Sequence, residues 1–333
     1  MYVIKQARPA LRGLAVIALT LWIAAATSSA QVYPSRPITM MVPFPAGGPT
    51  DSVARIIANG MQSALGQPVV VSNVVGASGS IAGVRCAHAA PDGYTLCFGT
   101  WSTHVINGAV MTLSYDPLKD FEPVSLVSDN PMVIVANKNV PADDLKHLIE
   151  WLRANPDKAS SATAGVATPP SLAGTFFQHA TNTRFQLVHY RGVSLAMQDL
   201  IAGRVQMAFD FVANSMPQVQ TGALKAYAVL ADHRLAAAPD VPTVDEAGLP
   251  GFYVSSWQAI WVPKGSSREI VATLNKAVVA ALVDPAVRQR LQALGQELRP
   301  AAQLTPQTLG QMQKAEIEKW WPIIKAANIK AQE

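Results

Sequence analysis

Residues 38–51 read Ile38-Thr-Met-Met-Val42-Pro43-Phe44-Pro-Ala46-Gly47-Gly48-Pro-Thr50-Asp51, and this stretch decides the fold. Ile38 to Val42 has the apolar run of a buried strand. From Thr50 to Leu65, residues Val53, Ile56, Ile57, Met61, Ala64 and Leu65 recur on one face at helical spacing. Gly66 and Pro68 then stop the helix. The glycine- and proline-rich turn therefore joins the carboxyl end of a strand to a helix start. Val69 to Val71 is a second strand. Ser80 to Ala89 is a second helix, closed by the turn tripeptide Pro91-Asp92-Gly93. Tyr94 to Phe98 is a third strand. This βαβαβ order predicts a parallel sheet with helices on both faces.

A second α/β unit follows. Its strands are expected at Met132–Ala136, Ser160–Thr163, Phe185–His189, Val205–Phe209 and Ala226–Leu230. Its helices are expected at Leu145–Arg153, Pro170–Thr181, Ser194–Ala202 and Met216–Thr221. The segment 239–250 is turn-rich, and Tyr253 to Val262 is apolar and extended, ending at Pro263. The tail is helical at Ser267–Leu282, Pro285–Leu294 and Thr305–Ala327. These helices have too little strand with them for a third domain, while the first block lacks cover. The chain is therefore expected to build a first lobe (31–130), then a second (131–253), and to return to the first (254–333). Crossings near 124–134 and 252–262 would form a hinge between the lobes.

Composition sets the outer bounds. The chain has 333 residues, half of them hydrophobic and only 14% charged, against about 25% charged in an average soluble protein. The mean hydropathy is +0.19. Such a chain is too apolar to be disordered, and two cysteines are too few for a disulfide-dense mini-domain. The formal charge of +4 is not gathered into a basic cluster, which speaks against nucleic acid as a partner.

Residues 1–12 carry Lys5, Arg8 and Arg12 and no acid. An apolar run from Gly13 to Ala26 follows, and then Thr27-Ser28-Ser29-Ala30. This is the layout of a secretory signal peptide, 1–30, cut after Ala30. The apolar run is about 14 residues, against about 20 for a membrane span. The signal carries three of the 26 basic residues, so 23 face 22 acidic ones in the mature chain. The mature protein is expected to be a nearly neutral, soluble, periplasmic monomer without a cofactor. For Cys86 and Cys97, an oxidising compartment permits a disulfide, and two buried thiols are the other reading.

Several turns could carry chemistry. Phe44 to Asp51, with Ala46, Gly47 and Gly48, leads into a helix start, where free N–H groups and the helix dipole favour an anion. The same turn also reads as a plain connection with Thr50 or Asp51 capping the helix. Gly99-Thr100-Trp101-Ser102-Thr103-His104 has the same placement after the third strand, and its hydroxyls can cap or bind. In the second lobe, Ala164-Gly165-Val166-Ala167-Thr168-Pro169-Pro170-Ser171 runs from strand to helix, with proline suited to the first turn. Arg191 can clamp a carboxylate or pair with a local acid. Asp210 ends a strand, where it can cap or line a cleft. Ligands of open α/β sheets sit at the carboxyl ends of the strands. Both lobes thus offer helix starts and hydroxyls to a shared cleft, which suits a small anion. No Gly-x-Ser-x-Gly elbow or His-Glu-x-x-His pattern occurs, and the six histidines lack metal-ligand spacing. Trp257, Trp320 and Trp321 read as packing residues.

Longer motifs carry a resemblance. They are Tyr33-Pro-x-Arg36-Pro-Ile38, Val42-Pro-Phe-Pro-Ala-Gly-Gly48-x-x-Asp51, Pro91-Asp-Gly-Tyr-Thr-Leu96 and Tyr115-Asp-Pro-x-x-Asp-Phe121-x-Pro123-Val124. His189-Tyr-Arg-Gly192, Asp199-Leu-x-x-Gly203-x-Val205 and the stretch from Gly248 to Trp257 continue them. Over residues 31–330 the chain resembles the substrate-binding receptors of tripartite tricarboxylate transporters, of the Bug (Bordetella uptake gene) type. The resemblance implies a two-lobed periplasmic binding protein of type II, a Venus flytrap with a hinge. It implies a small carboxylate, amino acid or aromatic acid as ligand, held partly through water, and membrane permease subunits as partners. Phe44, Ala46, Gly47, Gly48, Asp51, Ser102 and Thr103 would contribute from lobe one. Gly165, Val166, Ala167, Thr168, Ser171, Arg191 and Asp210 would contribute from lobe two.

One departure stands out. The family's lobe-two loop usually reads Gly-Thr-Pro-Ser-His-Leu-Ala-Gly, where this chain has Ala167-Thr-Pro-Pro-Ser-Leu-Ala-Gly174. The change removes a hydroxyl and an imidazole, which points to a larger or less polar acid. The alternatives are a ligand sensor that signals to a membrane partner, and an exported hydrolytic enzyme, which would need a Ser–His pair or a metal.

Overall fold

The computed structural model describes residues 33–156, 158–163, 165, 168–190 and 193–330. The signal-peptide reading of 1–30 lies outside these residues, as do Val166, Ala167 and Arg191. In chain order, the first unit holds β1 (Ile38–Val42), α1 (Pro49–Leu65), β2 (Val69–Asn73), α2 (Ser80–Ala87) and β3 (Thr95–Thr100). A π-helical turn (Ser102–Ile106) then runs into α3 (Asn107–Val110), and β4 (Phe121–Ser128) follows. The second unit holds β5 (Met132–Asn137), α4 (Leu145–Ala154), β6 (Ser160–Thr163), α5 (Pro169–Thr181), β7 (Gln186–His189), α6 (Val193–Ile201), β8 (Met207–Phe211), α7 (Val212–Gln220) and β9 (Leu224–Val229). The chain ends with β10 (Gln258–Pro263), α8 (Arg268–Val283), α9 (Pro285–Ala293) and α10 (Pro306–Ala326).

The strands form two five-stranded sheets, ordered β2-β1-β3-β10-β4 and β7-β6-β8-β5-β9. Strands β1, β2 and β3 pair in parallel, as the βαβαβ order predicts. The first sheet is nonetheless mixed, because β10 enters antiparallel between β3 and β4. The reason lies in the direction of return. Gln258, where β10 starts, pairs with Thr100 and Ser128, near the ends of β3 and β4. A strand that begins where its neighbours end must run against them. In the second sheet, β6 is parallel to β7 and β8, while β5 is antiparallel to β8 and β9. Strand β4 went unread in the sequence. It is buried over Val124–Ser128, so it shows no alternation, and Pro123 within it pairs with Trp261.

The apolar stripe of α1 is buried at Val53, Ile56, Ile57, Met61 and Leu65. Ala64, placed on that face by spacing, is exposed. Gly66 ends the helix in the left-handed conformation, its N–H donating to Gln62 O, as a C-terminal glycine does. Helix α8 covers α1. At their contact a Cβ on Gly60 would lie 2.7 Å from Ala281 Cβ, so the close approach requires glycine there. Cys86 on α2 and Cys97 on β3 are joined in a disulfide with a Cα–Cα distance of 5.9 Å. Strand β10 is buried at all six residues.

Two segments cross between the sheets, and they pair with each other. Asn130 N donates to Ser256 O (3.2 Å) and Ser256 N to Asn130 O (3.1 Å). A third segment joins them, since Asp129 N donates to Glu297 O (2.9 Å) and Glu297 N to Asp129 O (2.8 Å). Arg299 clamps the Asp129 carboxylate with Nε at 2.7 Å and Nη2 at 3.1 Å. Ser255 Oγ donates to the same carboxylate at 3.3 Å.

Gly60→Val is expected to destabilise the protein by about 1–3 kcal/mol through overpacking against α8. Pairing Gly60→Ala with Ala281→Gly should restore stability relative to Gly60→Ala alone. Urea unfolding followed by circular dichroism measures both.

Candidate functional site

The parallel strands place their carboxyl ends at the crossing end of each sheet, and the turns singled out in the sequence lie there. In the first, Gly47 has φ +78°, and Gly48 is the extended N-cap of α1 with Pro49 following it. No side chain caps this helix. Neither Thr50 nor Asp51 takes that role. Asp51 is 2% exposed and turns back, accepting from Gly47 N (2.8 Å), Arg55 Nε (2.8 Å) and Asn73 Nδ2 (2.9 Å). Asn73 Nδ2 also donates to Phe44 O (2.9 Å), and Arg55 Nη2 donates to Asn73 Oδ1 (3.2 Å). The hydrogen bond from Arg55 leads the causes that hold the Asp51 carboxyl well below its usual range, at about 2; the Gly47 N–H and Asn73 add to it against the opposing effect of burial. Asp51 is thus an ionised brace that ties Gly47, Arg55 and Asn73 together.

At the end of β3, Thr103 is buried, and its Oγ1 accepts from Thr100 N (2.9 Å) and lies 2.9 Å from His104 Nδ1. Ser102 beside it is half-buried. The His104 ring stacks on Trp261 with centroids 3.8 Å apart, and burial pushes its pKa down to about 3, so it is neutral. A Cβ at Gly99 would collide with that imidazole. The missing side chain makes room for the ring, and this is the physical reason for glycine at this position of β3.

In the second unit, Gly165 has φ +128° and its carbonyl accepts from Thr168 Oγ1 (2.9 Å). Thr168 is the extended N-cap of α5, again with proline next and with no side-chain cap. Ser171, in the first turn, is buried. Asp210 is buried at the end of β8, where it accepts from Ser215 Oγ (2.7 Å) and Asn214 Nδ2 (3.4 Å). Burial pushes its carboxyl pKa up. A small pocket beside Asp210 is otherwise mostly apolar, with Pro170, Val193, Met197 and Phe209 in its wall. Pro170 is one of the residues by which the loop departs from the pattern described above.

The helix starts fall into two groups. Helices α4, α8, α9 and α10 are capped by the side chains of Asp144, Ser267, Asp284 and Thr305. These helices follow the opposed strands β5 and β10, or other helices. Helices α1, α2, α5 and α7 begin at the carboxyl ends of parallel strands, and none has a side-chain cap. The first N–H groups of a helix have no intrahelical partner, but proline has none to offer: beyond Pro49 the first amides of α1 are those of Thr50 and Asp51, and beyond Pro169 and Pro170 the first amide of α5 is that of Ser171. In α2 and α7 the first amide is already bonded, Ser80 N to Ala77 O and Val212 N to Pro131 O (3.1 Å). Sequence reasoning missed Arg55 and Asn73, which hold the first loop. Arg55 is four residues from Asp51 on the same helix and was legible as an ion-pair partner; Asn73 arrives from the next strand. Among the described residues, no group of three or more His, Cys, Asp or Glu side chains has metal-binding geometry.

Comparison with known proteins agrees with this architecture. The profile of the family described as "Tripartite tricarboxylate transporter family receptor" matches residues 53–329. Protein BugT of Bordetella pertussis is 36% identical over 323 residues, covering 96% of this chain and 98% of BugT. MatC from Rhodopseudomonas palustris, solved with bound malate, is 38% identical with a TM-score of 0.70, covering 88% of this chain and 100% of MatC. A second R. palustris protein, Rpa4515, solved with adipate, is 32% identical with a TM-score of 0.71, covering 90% of this chain and 99% of its own.

Asp51→Asn should cost about 2 kcal/mol at neutral pH, from the gap between a folded pKa near 2 and an ordinary one near 3.8. A depressed folded pKa stabilises above the unfolded value and loses that effect as pH falls through the folded one. The stability gap between wild type and Asp51→Asn should therefore be full above about pH 5 and close between pH 4 and pH 2. Urea unfolding across that range measures it.

Proposed function

Because this chain belongs to the receptor family of tripartite tricarboxylate transporters, we propose that it captures a small carboxylate between its two lobes and delivers it to membrane permease subunits. The observation that carries this reading is the pattern of caps. At the crossing end of the sheets the starts of α1 and α5 carry no side-chain cap, whereas α4 and α8, which follow the opposed strands, are capped by Asp144 and Ser267. Open helix starts hold anions through N–H donors and the helix dipole, and here they come from both units. In lobe one the carboxylate lies against the loop from Phe44 to Asp51 and near Ser102. In lobe two it meets the turn from Gly165 to Ser171, with Val166, Ala167 and Arg191 beside it. Asp51, Thr103 and Asp210 act from behind as braces for these turns. The lobes divide at 31–130, 131–253 and 254–333.

Relatives have been solved with malate and with adipate. Pro170 and Ser171, in place of a hydroxyl and an imidazole, favour a ligand whose body is less polar than malate. The protein acts in the periplasm as a binding protein without catalysis, after cleavage following Ala30.

Isothermal titration calorimetry against malate, adipate, longer diacids, aromatic acids and amino acids tests the reading. One-to-one binding of at least one carboxylate is expected, with the less polar acids bound more tightly than malate. The absence of heat and of thermal stabilisation with every member would overturn it. Intact mass of the exported protein should begin at Gln31; retention of residues 1–30 would contradict the cleavage.

A further inference from the structure

The two lobes also touch away from the ligand turns, through an aromatic slot. Helix α10 belongs with the first sheet, packing on β4 and on the π-helical turn. From it, Glu316 Oε2 accepts the indole N–H of Trp101 at 3.0 Å and that of Trp320 at 2.5 Å. One carboxylate oxygen thus fixes two indoles, one from the end of β3 and one from the C-terminal helix. Phe176, on α5 of the other lobe, lies against both. Its ring stacks on Trp320 with centroids 4.0 Å apart and planes 8° apart, and meets Trp101 edge-on at 6.4 Å and 88°. Trp101, Trp320 and Phe176 are each no more than 2% exposed. One turn of α10 beyond Glu316, Lys319 Nζ donates to Gly251 O (3.1 Å), in the loop that leads back from the second sheet, and lies over the Trp320 ring.

The placement of these residues gives the contact its meaning. Trp101 directly precedes Ser102 and Thr103. Phe176 lies five residues beyond Ser171 on the same helix. The ring contact therefore ties the turn that follows β3 to the helix whose uncapped start carries Ser171. Opening of the cleft would have to withdraw Phe176 from its slot and expose three large aromatic faces to water, a cost that favours the closed arrangement.

We propose that Phe176 is the latch between the lobes, and that Glu316 is a positioning residue that holds Trp101 and Trp320 as its receptacle without touching the ligand. The inference rests on the two-lobed receptor reading, and it makes the closed population, and hence apparent affinity, depend on residues remote from the bound anion.

The test compares full-length mature wild type with Phe176→Ala, Glu316→Leu and Glu316→Gln. In the absence of any ligand, small-angle scattering should show a larger radius of gyration for Phe176→Ala and for Glu316→Leu. Acrylamide should quench their tryptophan fluorescence more strongly. Glu316→Gln keeps an acceptor oxygen for both indoles and should behave like wild type, which a role for the charge alone would not allow. With malate as probe, Phe176→Ala and Glu316→Leu should weaken binding about tenfold or more, mainly through faster dissociation. Their combination should weaken it little further, since both remove one contact.

Folded variants with wild-type scattering and quenching would overturn the latch, as would Glu316→Gln behaving like Glu316→Leu. If Phe176→Ala fails to fold, the Glu316 pair decides the matter through the same ligand-free measurements. A wild type that binds neither malate nor any other carboxylate defeats the receptor reading alone, because the ligand-free arm still measures the latch.

Discussion

The first amide hydrogens of α1 and α5, those of Thr50 and Asp51 beyond Pro49 and that of Ser171 beyond Pro169 and Pro170, need an acceptor, and no side chain caps either helix. Much of the arrangement follows from that constraint. Parallel strands send their carboxyl ends to one end of each sheet, so the helices that follow them begin there with their positive ends outward. Strands β5 and β10 run the other way, and the helices after them carry Asp and Ser caps. The buried carboxylates at the open end are turned away from the role of a cap. Asp51 is occupied by Gly47, Arg55 and Asn73, and Asp210 by Ser215 and Asn214. A loop braced in this way keeps its donors aimed before a ligand arrives, which lowers the ordering cost of binding.

The joint between the sheets is built from three segments rather than two. Asn130 and Ser256 exchange backbone hydrogen bonds, and Asp129 exchanges another pair with Glu297. The clamp of Arg299 on Asp129 adds charge-assisted bonds in the bidentate geometry that fixes orientation. Such a pair contributes more to register than to net stability. Short backbone ladders of this kind can twist with small changes in φ and ψ at a few residues, as hinges do. The slot that receives Phe176 lies on the same C-terminal part of the chain that supplies Glu297 and Arg299. The tail therefore covers the first sheet and also contacts the second lobe.

Much of this was legible in the sequence, for identifiable reasons. Helix α1 announces itself through the spacing of Val53, Ile56, Ile57 and Met61, and its end through Gly66. The strand-to-helix turns at the crossing end announce themselves through glycine and proline between a strand and a helix. Strand β4 was hidden because burial on both faces removes alternation, and because Pro123 argues against a strand until its partner Trp261 is known. The antiparallel entry of β10 depends on where the chain returns from the second sheet, which no local pattern records. The disulfide stayed open because spacing between Cys86 and Cys97 does not give the distance between their Cα atoms. Likewise Trp320 reads as a packing residue, and it is one. That it packs on the other lobe, through a carboxylate shared with Trp101, depends on a contact spanning 215 residues.

Capture of an anion by helix starts from both lobes is tested by a two-dimensional 15N–1H NMR titration of the assigned protein with adipate and with an aromatic monocarboxylate. The largest amide shifts, with downfield hydrogen-bond signatures, are expected at Thr50, Asp51 and Ser171, together with saturation at one equivalent. Saturable shifts centred on the capped starts of α4 or α8, or the absence of shifts at either open start, would contradict it.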